Sequence, residues 1–199
     1  MPMILAPKDS YRLGLIADTH GYLPSDALEV FRAVDLILHA GDIGSEEILR
    51  SLEQAAPVVA VRGNMDGGPW TKCLPEKQSV QAGHLIIHLV HDLLHLRLEP
   101  GQDACVAVVN GHTHRPLVER KNGVLFVNPG SAGAPRRGER SCVALLAVPG
   151  ASATADLICL RDYPPAAEAD GMGARSKRLE GRGQRLEAPS EFHPTARLP

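Results

Sequence analysis

Five short apolar runs of this chain end in residue types that bind divalent metals. The first closes on Asp18, Thr19 and His20, the second on Gly41 and Asp42, and the third on Gly63, Asn64, Met65 and Asp66. The fourth ends in His91 and Asp92, the fifth in Gly111, His112, Thr113 and His114. A mixture of imidazole, carboxylate and one amide oxygen suits Mn²⁺, Fe²⁺ or Zn²⁺, whereas a structural zinc favours thiolates. None of Cys73, Cys105, Cys142 and Cys159 lies at these run ends. Asp18, His20, Asp42, Asn64, His91, His112 and His114 are too many for one catalytic zinc, which takes three protein ligands; two ions sharing one carboxylate fit better. Such ions, roughly 3.5–4 Å apart, clamp the attacking and leaving oxygens of a phosphoryl displacement and generate hydroxide at neutral pH.

The elements that must position these residues are short and regular. Runs at 13–20, 36–44, 58–66, 84–92, 104–114, 124–131, 142–148 and 155–161 read as strands, mostly buried on both faces. Helical stretches separate the first three: 24–34, with Ser25 as N-cap and Asp26 and Glu29 near the positive end, and 45–55, which repeats the device from Ser45. This alternation implies right-handed parallel crossovers. Ala82 and Gly83 separate two strand-like runs at hairpin spacing, so the sheet is mixed and folds into two packed layers. Carboxyl ends of neighbouring strands in such sheets open on one crevice, which brings the run ends together although they are distant in sequence. Glycines ahead of Asp42, Asn64 and His112 suit a backbone that turns tightly beside an ion.

At 199 residues and 44% hydrophobic content, the chain suits one domain, 1–162, followed by a tail. Residues 163–199 are rich in Pro, Gly, Ala and alternating charge and read as disordered; Arg175, Lys177, Arg178, Arg182 and Arg185 are interleaved with acids, which favours a solvated tail. A net charge of -2 gives no bulk reason to expect nucleic acid or an anionic membrane. The cysteines form no CxxC, and three sit in apolar runs where they behave as small hydrophobes, which indicates a reducing compartment. No apolar stretch approaches the ~18 residues needed to span a bilayer, and no signal peptide is evident. A soluble cytoplasmic protein is expected.

The ordered set D-x-H, G-D, G-N-x-D, H and G-H-x-H resembles the calcineurin-like metallophosphoesterases. The short hairpin and the NPGS at Asn128–Ser131 resemble the small microbial phosphodiesterase branch of that superfamily, and the likeness covers residues 11–161. The resemblance implies a four-layer α-β-β-α sandwich with two mixed sheets. It implies one metal on Asp18, His20, Asp42 and His114 and a second on Asp42, Asn64, His91 and His112, with Asp42 as the bridge. The implied activity is hydrolysis of phosphodiesters, with some monoesters, by a metal-bridging hydroxide. Asp42, Asn64 and His112 are then the catalytic residues, and Asn64 and Arg136 substrate contacts. Mn²⁺ is the expected ion, with Zn²⁺, Fe²⁺ or Ni²⁺ as alternatives; a small phosphoester is the expected partner, without membrane or nucleic acid, and a homo-oligomer is left open. A phosphomonoesterase, a protein phosphatase and a nuclease are alternatives within enzymes. A non-catalytic scaffold similar to the retromer subunit of this fold is the alternative outside them, and retention of all seven ligands argues against it.

Two positions depart from the family. Many members carry His where Met65 stands, and a thioether cannot protonate a leaving group. The fourth motif usually reads His-Gly, whereas Asp92 follows His91 here and supplies either a carboxylate near the metals or a helix cap. His39, His84, His88 and His95 read as structural, and His193 lies in the tail. Asn128 reads as a turn residue and Trp70 as packing. Arg136, Arg137 and Arg140 either grip a phosphate through paired N–H donors or line a solvated loop.

Overall fold

A computed structural model describes residues 2–96, 104–136 and 139–161. Arg137, His193 and the expected tail, 163–199, lie outside the described residues. Among the described residues, the strands are β1 (Met3–Ile4), β2 (Ser10–Ile16), β3 (Leu36–His39), β4 (Val58–Ala60), β5 (Lys77–Ala82), β6 (Leu85–Val90), β7 (Cys105–Val109), β8 (Leu117–Lys121), β9 (Val124–Asn128), β10 (Cys142–Pro149) and β11 (Thr154–Cys159). The helices are α1 (Ser25–Val30) and α2 (Glu46–Leu52).

The strands form two mixed sheets, ordered β11-β10-β2-β3-β4 and β1-β5-β6-β7-β9-β8. Parallel pairing of β2, β3 and β4 follows from the helical crossovers between them, while β10 and β11 add an antiparallel edge. In the second sheet β6, β7 and β9 are parallel, and β5 and β6 form the expected hairpin, which turns at Gly83 with a left-handed φ of 64°. Side chains alternate across each strand. Leu13, Leu15, Leu36 and Leu38 therefore face the second sheet, where they meet Val80, Ile87, Leu89, Val109 and Val127. Ile16, Ile37 and Val143 face the other way and pack with Ala27 and Phe31 from the α1 side and Ile48 and Leu52 of α2. Phe31 is fully buried over Gly14, where a Cβ would come within 2.6 Å of its ring. Burying one such side chain stabilises the fold by about 1.5–3 kcal/mol.

Both helices are shorter than the stretches 24–34 and 45–55 that the sequence suggests. Isolated helices of this length are marginal in water, so their apolar contacts with the five-stranded sheet hold them. Ser45 takes the extended N-cap of α2 ahead of Glu46 and Glu47, whereas α1 has Pro24 at its cap and Ser25 already inside. β1 and β8 form by pairing with β5 and β9 at the edges of the six-stranded sheet. β2, β3 and β4 end at Ile16, His39 and Ala60, short of the ends of the runs at 13–20, 36–44 and 58–66. The chain leaves the sheet there, and the metal-binding residue types sit on the loops that follow.

Candidate metal centre

The loops after β2, β3, β4, β6 and β7 converge at one edge of the two sheets. Asp18 (φ 52°), His20 (47°), Asp42 (53°), His112 (70°) and His114 (61°) all adopt left-handed backbone conformations. Asn122 is the one other non-glycine residue with positive φ among the described residues. Such conformations are uncommon for residues with a Cβ and persist where the surroundings impose them. Here they bring five side chains together at places where a regular strand would alternate them.

Asp18, His20 and His114 bring one ligand atom each within 4.8 Å of one another, as do Asp18, Asp42 and His91. His20 Nε2 lies 3.3 Å from His114 Nε2, and His114 Nε2 lies 3.6 Å from Asp18 Oδ1. Asp42 Oδ2 stands between the two groups, 3.8 Å from His20 Nε2 and 3.4 Å from His91 Nε2. Asn64 Oδ1 completes the far side, 2.9 Å from His91 Nε2 and 3.0 Å from His112 Nδ1. All seven candidate ligands therefore meet in one continuous cluster.

The hydrogen bonds show what this cluster lacks. His91 Nδ1–H donates to Ala40 O at 2.8 Å, and His114 Nδ1–H donates to Ala134 O at 2.8 Å. A carbonyl can only accept, so in the neutral rings each Nε2 carries a lone pair. These lone pairs face the oxygens of Asp42, Asn64 and Asp18, an arrangement that needs a proton or a cation between the partners. Backbone anchoring of the second ring nitrogen is also how metal-binding histidines are oriented. Asp18 Oδ2 is buried without a hydrogen-bond partner, and burial pushes the Asp18 carboxyl up to about 7 against the opposing pull of His91. Burial likewise raises Asp42, but the His91 hydrogen bond, the Met65 N–H at 2.8 Å and the charges of His91 and His20 outweigh it and hold Asp42 below its ordinary value. Burial opposes the charge on His91, yet Asp42, Ala40 O and Asp18 raise its pKa overall. His114 is lowered, chiefly by burial. A divalent cation would satisfy the orphaned oxygen and the facing lone pairs together, so these residues fit such an ion.

Beneath the ligands runs a network that sequence reasoning missed. His39 reads as a core residue inside an apolar run, and it is fully buried, with burial pushing its pKa down to about 3. Its Nδ1 accepts from Gly41 N–H at 3.2 Å, so its Nε2–H donates to Thr19 Oγ1 at 2.9 Å, and Thr19 donates onward to Ile43 O at 2.8 Å. The Asp18 and Asp42 loops are thereby tied together by one neutral tautomer. Asp66 ties in the third loop, accepting from Ile43 N and Gly44 N through Oδ1 and from Gly63 N through Oδ2. At Gly63 a Cβ would stand 2.1 Å from Asp42 Oδ1 and 2.2 Å from Asp42 N. Only a bare Cα allows that approach. Ser131 donates to Asp18 O at 2.7 Å, and Asn128 behaves as the expected turn residue, donating to Gly111 O and accepting from Gly130 N.

Asp92 takes both roles left open for it. Its Oδ1 caps a 3-10 turn at Leu94 N (3.0 Å), and its Oδ2 lies 3.8 Å from His112 Nε2. With His91, His112 and Asn64 it lines a cleft of about 300 Å³ that extends to Arg62 and Glu76. His95 also lines this cleft, so it belongs to the rim and not to the core. His88 meets Ser79 Oγ on β5, away from the ligands, and exposed His84 lies in the hairpin turn. Met65 is exposed. Arg136 is exposed beside the fifth loop, its Nε–H donating to Thr113 O at 3.1 Å. Arg140 is exposed, and Trp70 packs against the helix-side core. No helix among the described residues is long and apolar enough to cross a membrane.

Residues 11–150 match the calcineurin-like phosphoesterase superfamily domain. A Methanocaldococcus jannaschii protein named as a probable metallophosphoesterase is 38% identical over 137 residues, 62% of this chain and 69% of that protein. A phosphodiesterase of the same organism is 30% identical over 139 residues, 60% of this chain and 82% of that protein. Among solved structures, vacuolar protein sorting 29 from Cryptosporidium parvum superposes with a TM-score of 0.64 at 28% identity, covering 78% of this chain and 94% of that one.

Proposed function

This chain belongs to the calcineurin-like phosphoesterase superfamily, and on that premise we propose that it is a dinuclear-metal phosphodiesterase acting on small esters. Asp18, His20 and His114 would hold one ion and Asn64, His91 and His112 the other. Asp42 is suited to the bridge because its Oδ2 faces a histidine of each set. The observation that carries this reading is the Asp18 oxygen buried without a partner beside imidazole lone pairs aimed at oxygens. Divalent ions held by these residues would acidify a water and withdraw charge from the phosphoryl oxygens.

The remaining work falls to the chain's own residues. His39 and Asp66 hold the ligand loops in register, which keeps the reacting geometry constant from one turnover to the next. Asn64, which lines the cleft, would orient the substrate, and the Arg136 guanidinium, whose charge acts on His114, would meet a substrate phosphate through its other N–H groups. Hydrolysis converts a diester and water to a monoester and an alcohol. Met65 supplies no proton for that alcohol, so groups that depart readily as anions react best. Mn²⁺ is the preferred ion, with Zn²⁺, Fe²⁺ and Ni²⁺ as substitutes. Residues 1–162 form the catalytic domain of a cytoplasmic enzyme, and 163–199 are accessory to it.

The test is a panel of aryl, alkyl and nucleotide diesters and monoesters offered to metal-depleted full-length protein resupplied with each ion. Faster hydrolysis of diesters than of monoesters is expected, with Mn²⁺ most effective. The likeness to vacuolar protein sorting 29 supplies the second reading, a binding scaffold. Stoichiometric metal binding without hydrolysis of any ester would favour that scaffold, and preference for monoesters would favour a phosphomonoesterase.

A further inference from the structure

Cys142 and Cys159 stand directly opposite each other on β10 and β11. Beside them Leu160 N–H donates to Ser141 O at 2.8 Å, while Cys142 N–H turns away to Ser131 O at 3.1 Å. The cysteines thus occupy a non-hydrogen-bonded pair of the antiparallel ladder. At such pairs the Cα atoms approach to about 4.5 Å, inside the window of roughly 4.4–6.8 Å that a disulfide spans. The sulfurs are 3.4 Å apart, with the Cys142 thiol donating to Cys159 Sγ. Cys159 is exposed and Cys142 buried, so only one of the two meets a soluble reagent directly. Burial also pushes the Cys142 thiol up to about 12, which makes it the resolving partner and not the entry point. Neither residue lines the cleft beside the ligand cluster.

We propose that Cys142 and Cys159 form a reversible dithiol–disulfide site that reacts with low-molecular-weight disulfides. The Cys159 thiolate attacks one sulfur of the small disulfide; a mixed disulfide forms on Cys159 and one small thiolate leaves, taking up the proton that Cys159 released to solvent. The Cys142 sulfur then attacks Cys159 Sγ, the mixed bond breaks, and the second small thiolate departs with the Cys142 proton. Two protein thiols are oxidised to one bridge, and the small disulfide is reduced to two thiols. The bridge fastens the end of β10 whose backbone N–H holds Ser131 O, and Ser131 in turn holds Asp18 O. A surface thiol event is thus wired to the backbone behind the Asp18 loop, whether or not the phosphodiesterase reading holds.

The experiment exposes full-length protein to oxidised glutathione, alkylates it under denaturing conditions, and reads intact mass and peptide maps. Wild type should lose two hydrogens, keep Cys73 and Cys105 alkylatable, yield the Cys142 peptide joined to the Cys159 peptide, and revert with dithiothreitol. Cys142→Ala should stop at a glutathione adduct on Cys159, and Cys159→Ser should leave Cys142 free. Cys159 is exposed, so the serine variant keeps the test valid even where the alanine variant fails to fold. Four alkylatable cysteines after oxidation, a bridge through Cys73, or a lasting glutathione adduct on wild-type Cys159 would each overturn the proposal.

Discussion

Replacing Gly63 by alanine tests whether the ligand cluster depends on the close approach of two loops. The added methyl would stand 2.1 Å from Asp42 Oδ1 and 2.2 Å from Asp42 N, where ordinary contact begins at 3.4 Å. One of those atoms is backbone, so no flexible side-chain tip can swing aside, and the loops must part by ~1.3 Å. A misplacement of about 1 Å at a reacting centre lowers turnover by about 10²-fold, or ~2.7 kcal/mol. Overpacking itself should lower stability by about 1–3 kcal/mol. Gly67→Ala is the control, because a Cβ there meets nothing within 4 Å. We expect kcat/KM for an aryl diester, measured with saturating Mn²⁺, to fall by about two orders of magnitude in Gly63→Ala and to be unchanged in Gly67→Ala. Weaker ion retention on dialysis should accompany the loss. If Gly63→Ala works as well as the control, the Asp42 loop does not set the reacting geometry and the placement of the bridge is wrong.

Asp42→Asn should keep the fold and lose activity with both Mn²⁺ and Zn²⁺ by more than the ~10–100-fold that loss of an outer-shell partner causes; near-native turnover with ions bound would refute the bridging role. Met65→His should raise kcat/KM for alkyl esters more than for activated aryl esters, and a leaving-group dependence already flat in the wild type would refute the reading of Met65. His39 has a folded pKa of about 3, below its unfolded value of 6.5. Above pH 6.5 the ring is neutral in both states and its contribution is complete; below that the unfolded state takes up a proton that the folded state refuses. The stability advantage of wild type over His39→Gln should therefore shrink by about 1.4 kcal/mol per pH unit as pH falls from 6.5 towards 3. Urea unfolding at several pH values measures it, and a difference independent of pH would show that His39 is charged or solvated in the native state.

The clustering of the candidate ligands was legible because each of them closes an apolar run, and apolar periodicity is the strongest signal a single sequence carries. Parallel crossovers through α1 and α2 then force the loops at Asp18, Asp42 and Asn64 to one edge. What escaped reading depends on contacts without a local pattern. β8 is written Leu-Val-Glu-Arg-Lys, which looks like a polar loop, and becomes a strand only because β9 lies beside it. His39 hides in a buried strand, and its partner Thr19 comes from another loop twenty residues away. The opposition of Cys142 and Cys159 follows from the β10–β11 register, which one residue of slip would abolish. Asp66 was visible at a run end, but its part as a three-way clasp needs the positions of Ile43, Gly44 and Gly63.

The five left-handed residues of the cluster bear on how this architecture can change over time. Each such conformation in a residue with a Cβ is unfavourable by about 1–2 kcal/mol, so together they hold several kcal/mol, comparable to the 5–15 kcal/mol that keeps a whole domain folded. A cation held by these residues would offset that strain while the chemistry is under selection. Once it is not, glycine or asparagine at positions 18, 20, 42, 112 or 114 relaxes the backbone and strengthens the fold. The gradient of stability therefore runs from hydrolase towards inert framework, and a sandwich of this kind is better placed to survive as a binding surface after losing its chemistry than to acquire that chemistry afresh.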